Sequence, residues 1–216
     1  MTTALGPSSQ DLNELHDLGL VSRETIDRLR VYVQELERWQ RAKNLVSAGT
    51  LTDVWKRHII DSAQLWSLGG GGNRWLDLGS GGGLPGIVLG VKLAETGGEI
   101  TLVEANARKC AFLRHVIRCT DIPARVVHAR IESCIDSFAG RIDVVTARAL
   151  APLAKLLEWN HDLLRNGAIA LFPKGQDVAS ELTEASRSWS MDVDLIPSRT
   201  NPSARIVRIR SVREAG

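Results

Sequence analysis

RWLDLGSGGGLPG, Arg74–Gly86, is a short apolar run that ends in an acid and passes into a glycine loop closed by a proline. A strand feeding a glycine turn and then a helix is the opening unit of an α/β sheet. Glycine has no Cβ and tolerates positive φ, so such a turn lets backbone approach a ligand closely. The stretch can be parsed two ways. Gly81-x-Gly83-x-x-Gly86 is a dinucleotide fingerprint, and Asp77-x-Gly79-x-Gly81-x-Gly83 is the acid-led loop of S-adenosylmethionine enzymes. Asp77 separates them. A carboxylate at the end of the first strand repels a pyrophosphate, whereas the methionine part of S-adenosylmethionine carries an ammonium and a sulfonium. Glu104 ends the next strand, about twenty residues beyond the loop, where an acid can accept both ribose hydroxyls. The residues favour S-adenosylmethionine over a nicotinamide cofactor; a glycine turn without a ligand is the bland alternative.

Downstream of the loop, short β-branched runs alternate with helical stretches. Strands are expected at Arg74–Leu78, Glu99–Glu104, Arg125–Ile131, Ile142–Ala147 and Ala168–Phe172. Helices are expected at Pro85–Ala94, Ala107–Cys119, Leu150–Leu164 and Asp177–Trp189. Repeated β-α units require a mostly parallel sheet covered on both faces. Two further runs, Met191–Ile196 and Arg205–Val212, are joined by the short segment SRTNPSA, which favours an antiparallel hairpin. Seven strands with a terminal hairpin is the pattern of the Rossmann-like methyltransferase sheet.

Upstream, the chain reads as helices. Leu12, Leu15, Leu18 and Leu20 suggest a short one. Ser22 can cap a long second helix with Ile26, Leu29, Val33, Leu36 and Gln40 on one face, and Thr52 can cap a third. The run Gly69–Gly72 breaks the pattern, so residues 1–72 are read as a helical extension and residues 73–216 as the methyltransferase domain. Trp39, Trp55 and Trp66 look like anchors of the extension.

The 216 residues are 44% hydrophobic and 24% charged, ordinary for a globular protein, and no apolar run is long enough for a transmembrane helix. The first residues lack a signal-peptide pattern. Cys110, Cys119 and Cys134 form no disulfide or metal motif and are expected to be buried structural thiols in a reduced, cytoplasmic protein. Net charge is only +2. Six basic residues nevertheless lie between Asn106 and Arg130 against one acid, and five arginines lie between Ile196 and the end against Glu214 alone. Gln176–Leu195 reverses this with five acids. Such segregation suggests a basic face for a phosphate-rich partner; a solvated surface is the alternative.

The end of the fourth strand faces the sulfonium in this fold and reads Thr146-Ala147-Arg148-Ala149. The Asn/Asp-Pro-Pro-aromatic tetrapeptide of exocyclic amine methylation is absent. Cys134 precedes the strand, so it does not supply the nucleophile that carbon-5 methylation needs. Arg148 stands where ribose 2′-oxygen methylation commonly places an acid, and only Lys174 remains of the expected lysines. An acceptor atom with a free lone pair, such as N7 of guanine, fits what is left: it carries no proton and needs alignment rather than a base. Elimination alone does not name N7.

With these residues in hand, the chain resembles the bacterial small-subunit rRNA guanine-N7 methyltransferase family (RsmG, also called glucose-inhibited division protein B). The match runs from about Leu36 to the C-terminus. It rests on Asn44-Leu45, Arg57-His58-x-x-Asp61-Ser62, LDLGSGGGLPGI (Leu76–Ile87), LVEANARKCAFL (Leu102–Leu113), Ala129–Glu132, DVVTARALAPL (Asp143–Leu153) and Pro173-Lys174-Gly175. The resemblance implies methyl transfer from S-adenosylmethionine to N7 of one guanine in the 530 loop of 16S rRNA, free or in a 30S assembly particle. It places Gly79 and Leu84 in the cofactor loop, Ile131 and Glu132 beside the adenine, and Arg148 at the methyl-transfer end. Two positions depart from the family: Val46 replaces the usual threonine, and a pair of acids after the third strand is reduced to Glu132-Ser133.

The expected cofactor set is therefore Asp77, Gly79, Gly81, Leu84, Glu104, Ile131, Glu132 and Arg148. Arg148 and Lys174 end neighbouring strands and could together face RNA phosphate or guanine O6. His58 and Asp61, one helical turn apart, could cap the pocket and hold substrate, or simply form a hydrogen-bonded helix face. The remaining histidines have no ligand spacing, so no metal is assigned. Two other functions stay open at this point, a small-molecule methyltransferase and a non-catalytic ribosome-assembly factor that binds S-adenosylmethionine.

Overall fold

The computed structural model describes residues 6–20, 22–43, 45 and 53–215. The motif positions Asn44 and Val46 and the expected cap Thr52 lie outside the described residues. Helix α1 (Ser9–Asp17) opens with a capping box in which Ser8 and Asp11 satisfy each other's backbone amides. Ser22 caps α2 (Arg23–Lys43) by accepting from Thr25 N–H at 3.0 Å. Its expected apolar face, Ile26, Leu29, Val33, Leu36 and Gln40, is buried. A π-helical stretch, Trp55–Ile60, then runs into the short α3 (Asp61–Ala63). Wide turns of this kind are frequent at functional sites.

The α/β part follows in the order β1 (Arg74–Leu78), α4 (Gly86–Thr96), β2 (Glu99–Glu104), α5 (Ala107–Thr120), β3 (Ala124–His128), β4 (Val144–Ala147), α6 (Leu153–Arg165), β5 (Ile169–Lys174), α7 (Val178–Ala185), β6 (Trp189–Pro197) and β7 (Arg205–Glu214). The sheet order is β3-β2-β1-β4-β5-β7-β6. Strands β1 to β5 are parallel, and β7 runs antiparallel to both neighbours, β5 and β6. The seven-stranded mixed sheet with its terminal hairpin is the one the sequence predicts. Chain order reverses between β1 and β4, so the crevice beyond the carboxyl ends of those strands is where this architecture binds ligands.

Each sheet face carries one hydrophobic cluster. On one side, Leu15, Leu29, Tyr32, Leu36 and Ile59 of the N-terminal helices pack with Ile87 and Val91 of α4 and Phe112 and Val116 of α5. On the other, Leu156 and Leu163 of α6 and Val178 of α7 cover Leu76, Val145 and Phe172. The three tryptophan anchors hold their places: Trp55 is buried, Trp66 stacks on Trp75, and Trp39 meets Phe112. No helix of the described residues is long and apolar enough to cross a membrane.

Several expectations are corrected. β3 stops at His128, so Ile131 and Glu132 fall in a 3₁₀ turn rather than at a strand end. Trp189 opens β6 instead of closing α7. Cys110 is buried, but Cys119 is exposed on the last turn of α5, 3.6 Å from His115, and Cys134 is half-buried. The C-terminal arginines do not form an uninterrupted basic face. Antiparallel pairing lays the acids of β6 beside the arginines of β7, so Arg208 pairs with Asp194 at 2.6 Å and Arg210 with Asp192 at 2.7 Å and Asp194 at 2.5 Å. Charges segregated along the chain thus become neighbours in space.

Candidate active site

The glycine loop leaves β1 and folds back over its end. Gly79, Gly81 and Gly83 all have positive φ. At Gly79 a side chain is doubly excluded, because φ is +65° and a Cβ would lie 2.5 Å from Leu150. Ser80 N–H donates to Val103 O at 3.0 Å, and Gly81 N–H donates to the Glu104 carboxylate at 2.9 Å. The other Glu104 oxygen accepts from Asn106 N–H at 2.7 Å. Glu104 is 8% exposed, at the carboxyl end of β2. A carboxylate has about four acceptor positions, so two remain for further donors. Ala129 N–H donates to Glu104 O at 3.2 Å and brings the turn holding buried Ile131 and exposed Glu132 next to Glu104. Leu84 is buried immediately before α4.

Asp77 does not stand at the mouth of the loop. It is 1% exposed, beneath the first turn of α4, where a Cβ on Gly86 would lie 2.6 Å from its Oδ2. Among the described residues neither carboxylate oxygen completes a hydrogen bond of good geometry, although the Ser80 hydroxyl and Gly86 N–H lie close enough to favour its charged form, and the hydroxyl of Thr146, its register partner on β4, likewise has no partner there. The Ser80 hydroxyl donates to the backbone carbonyl of Asp77 at 3.0 Å. Burial pushes the Asp77 carboxyl up to about 7, although the Ser80 hydroxyl, the charge of Arg148 and Gly86 N–H act the other way.

Arg148 leaves the end of β4 on the same side of the sheet and meets the N-terminal segment. Its Nη1 lies 3.3 Å from His58 Nδ1 and 3.4 Å from Asp61 Oδ2. Arginine only donates, so Nδ1 accepts and the imidazole is neutral with its proton on Nε2. Burial and then the Arg148 charge hold the His58 pKa down at about 4. Asp61 Oδ1 also accepts from the Thr200 hydroxyl at 2.6 Å and from the Gln64 amide at 3.0 Å. Gln64 in turn accepts from Arg199 N–H at 2.9 Å. These bonds tie the π-helical segment to the β6–β7 connection. Between them a cavity of about 870 Å³ opens, bordered by Arg57, His58, Asp61, Arg148, Thr200 and Arg205.

Lys174 lies beside Arg148 at the cavity and is also engaged by neighbouring groups. Although it borders the same cavity, its ammonium is 2.6 Å from the Glu181 carboxylate and 2.7 Å from Ala151 O, with the side chain 9% exposed. Glu181 also accepts from Leu153 N–H, the first amide of α6, at 2.6 Å. Lys174 thereby bridges the segment before α6 and α7. Asp77, Gly79, Gly81, Leu84 and Glu104 gather around the glycine loop, whereas Arg148 and Lys174 share the border of the cavity. Sequence reasoning missed Gln64, Thr200 and Tyr32, whose hydroxyl donates to Gly82 O at 2.7 Å. Only Tyr32 left a signal, three residues after Leu29 and four before Leu36 on the apolar face of α2.

A family model described as GidB, rRNA small subunit methyltransferase G, matches residues 25–205. A protein of Methylobacterium radiotolerans named ribosomal RNA small subunit methyltransferase G is 54% identical over 192 residues, covering 89% of this chain and 90% of its own. One of the same name from Methylobacterium nodulans is 50% identical, over 95% of this chain and 97% of its own. The chain belongs to the rRNA small subunit methyltransferase G family. Among solved structures, the fold is similar to that of cofactor-bound Rv0187 from MTB, with a TM-score of 0.60 at 14% identity over 96% of this chain and 100% of that one. It is also similar to an O-methyltransferase from Bacillus cereus in complex with SAH, with a TM-score of 0.57 at 13% identity over 92% and 96% of the two chains. Those two likenesses concern the fold: the sheet order and terminal hairpin of this family member are those of a Rossmann-like methyltransferase.

Proposed function

We propose that this chain transfers a methyl group from S-adenosylmethionine to N7 of a guanine in the 530 loop of 16S rRNA. The cofactor fits the acids at the crevice. Glu104 keeps acceptor capacity suited to ribose hydroxyls, and Asp77, buried beneath the first turn of α4, would favour a cationic ligand nearby through its charge. Gly79, Gly81 and Leu84 would line the loop, and Ile131 and Glu132 would flank the adenine. S-adenosylmethionine supplies an electrophilic methyl on a sulfonium, which any aligned lone pair can accept.

The observation that carries the reading is Arg148, held at the end of β4 by His58 and Asp61 beside a cavity whose border also carries Arg57 and Arg205. A guanidinium there can donate to guanine O6, or to a phosphate, and fix the base edge. N7 has no proton to lose, so alignment and exclusion of water are what the residues must provide. His58, neutral and already accepting from Arg148 at Nδ1, serves as a brace for the guanidinium. The positive border of the cavity suits an RNA strand better than a small neutral metabolite. The test is mass mapping of 16S rRNA from cells with and without the gene, alongside labelled-methyl transfer into free 16S rRNA and into 30S particles. Loss of one N7-methylguanine in the 530 loop is expected. An unchanged map, or label on another atom, would reject the assignment.

A further inference from the structure

The glycine loop is held from three sides. Two holds come from β2, Val103 O to Ser80 N–H and Glu104 to Gly81 N–H. The third comes from the N-terminal extension, where the Tyr32 hydroxyl donates to Gly82 O at 2.7 Å. Tyr32 is fully buried on α2. That helix is itself fastened: Ser22 and Thr25 hydroxyls donate to Glu95 of α4, Arg28 Nε donates to Thr120 O at 3.0 Å, and Glu35 pairs with His115 of α5 at 2.7 Å. The phenol is thus a rigid post against a loop whose glycines do little to define their own path. Burial holds it protonated; of the nearby charges, Arg148 pulls its pKa back and Asp77 pushes it further up. The hydroxyl therefore remains a donor.

Gly82 O and Gly83 N–H share one peptide plane. Gly83 N–H closes the turn onto Ser80 O at 2.7 Å, so the tyrosine bond and the turn bond fix the same plane from its two sides. We propose that Tyr32 is a positioning residue for the cofactor loop: its hydroxyl sets the Gly82–Gly83 peptide in the shape that accepts the S-adenosyl ligand, which makes the N-terminal helices part of the cofactor site. This rests on the S-adenosylmethionine reading.

The test compares Tyr32→Phe, which keeps the ring, with Thr25→Val, which loosens the same helix at Glu95 without touching the loop. S-adenosylhomocysteine affinity is measured by calorimetry, and KM and kcat with S-adenosylmethionine. Tyr32→Phe is expected to weaken S-adenosylhomocysteine and raise KM about tenfold with kcat little changed, because one buried carbonyl loses its donor. Thr25→Val is expected to stay within about twofold of the wild type in affinity. Equal affinity of Tyr32→Phe and wild type, or equal weakening by both variants, overturns the proposal. A second measurement needs no substitution. The chain has one tyrosine, so 3-fluorotyrosine labelling gives one ¹⁹F resonance, expected to shift as S-adenosylhomocysteine saturates; a resonance that stays put overturns the proposal. Wild-type protein that binds no S-adenosylhomocysteine at all would remove the cofactor reading and this inference with it, whereas normal wild-type binding with an indifferent Tyr32 removes the inference alone.

Discussion

Arg148 Nη1 and His58 Nδ1 lie 3.3 Å apart, a cation donating to a neutral imidazole across the seam between the N-terminal segment and the sheet. The contact gives Arg148 two observable functions. As a donor facing the cavity, its replacement by alanine is expected to lower kcat/KM for RNA methylation by about 100–1,000-fold while S-adenosylhomocysteine binding stays within a few-fold. As a charge beside His58, its loss is expected to raise the histidine pKa from about 4, with burial still keeping it below the ordinary 6.5. NMR titration of the ring reads the second effect and calorimetry with methyl-transfer kinetics the first. Wild-type turnover in Arg148→Ala would take the residue out of the transfer step.

Asp77 and His58 pull the pH dependence of stability in opposite directions. The native state holds the Asp77 proton up to about 7, whereas the unfolded chain releases it near 3.8, so this group makes stability fall as pH rises between those values. The native state gives up the His58 proton at about 4, whereas the unfolded chain keeps it to about 6.5, so His58 makes stability rise over nearly the same window. The two contributions oppose each other and flatten the profile. Asp77→Asn removes the first alone. Its melting temperature is expected to climb between pH 4 and 6.5 and to exceed the wild type at pH 8, where the native protein must ionise a fully buried carboxyl at a cost of about 4 kcal/mol. Affinity for S-adenosylhomocysteine, whose ammonium a carboxylate would favour, is expected to drop about tenfold or more. A variant less stable than wild type at pH 8 would mean that Ser80 and Gly86 compensate the buried charge in full.

Local order explains what the sequence disclosed. Strand, glycine loop, helix and second-strand acid are consecutive, so Asp77, Gly79, Gly81 and Glu104 could be read together, and the terminal hairpin followed from a short connection. Depth and partnership were hidden. The pattern places Asp77 at a strand end, but only the close approach of α4 at Gly86 shows that the carboxyl is roofed over. Lys174 looked free because Glu181 meets it through the packing of α7 beside β5. The C-terminal arginines looked like a surface patch until strand pairing set Asp192 and Asp194 among them. Long-range hydrogen bonds such as Thr200 to Asp61 leave no trace in spacing at all.

Lys174 separates from Arg148 by experiment. With Glu181 and Ala151 O already on its ammonium, Lys174→Met is expected to destabilise the fold by about 2 kcal/mol, by leaving a partly buried carboxylate short of a partner. Turnover per folded molecule should remain near wild type, and Lys174→Met combined with Glu181→Gln should recover part of the stability. Chemical denaturation and single-turnover assays measure the two quantities. A stable Lys174→Met protein without activity would restore the lysine to the reaction.

We propose the division at residue 72 as one of topology rather than of independent folding. Leu29, Leu36 and Ile59 share a core with Val88, Phe112 and Val116. A 73–216 fragment would bare that face of α4 and α5, an apolar patch that isolated domains rarely tolerate. It is expected to be insoluble or to lack cooperative melting by circular dichroism. A soluble fragment with a sharp transition would show the helices to be a detachable accessory.

Salt dependence distinguishes the arginines that meet RNA from those that meet acids. Each phosphate contact contributes a slope of order one to the fall of log K with log salt. Arg57 and Arg205 border the cavity, and among the described residues neither charge is matched closely: Asp53 lies 4.0 Å from Arg57, and Arg205 meets the carbonyls of Pro202 and Ala204. Arg57→Ala and Arg205→Ala are each expected to flatten the salt slope of 16S rRNA binding by about one and to weaken binding across RNA sequences alike. Arg208 and Arg210 are engaged by Asp192 and Asp194, so Arg208→Gln and Arg210→Gln are expected to leave the slope unchanged. Filter binding over a range of salt concentrations measures all four. A flattened slope for the β7 pair with none for Arg57 and Arg205 would move the RNA track from the cavity border to the terminal hairpin, and with it the direction from which a guanine reaches Arg148.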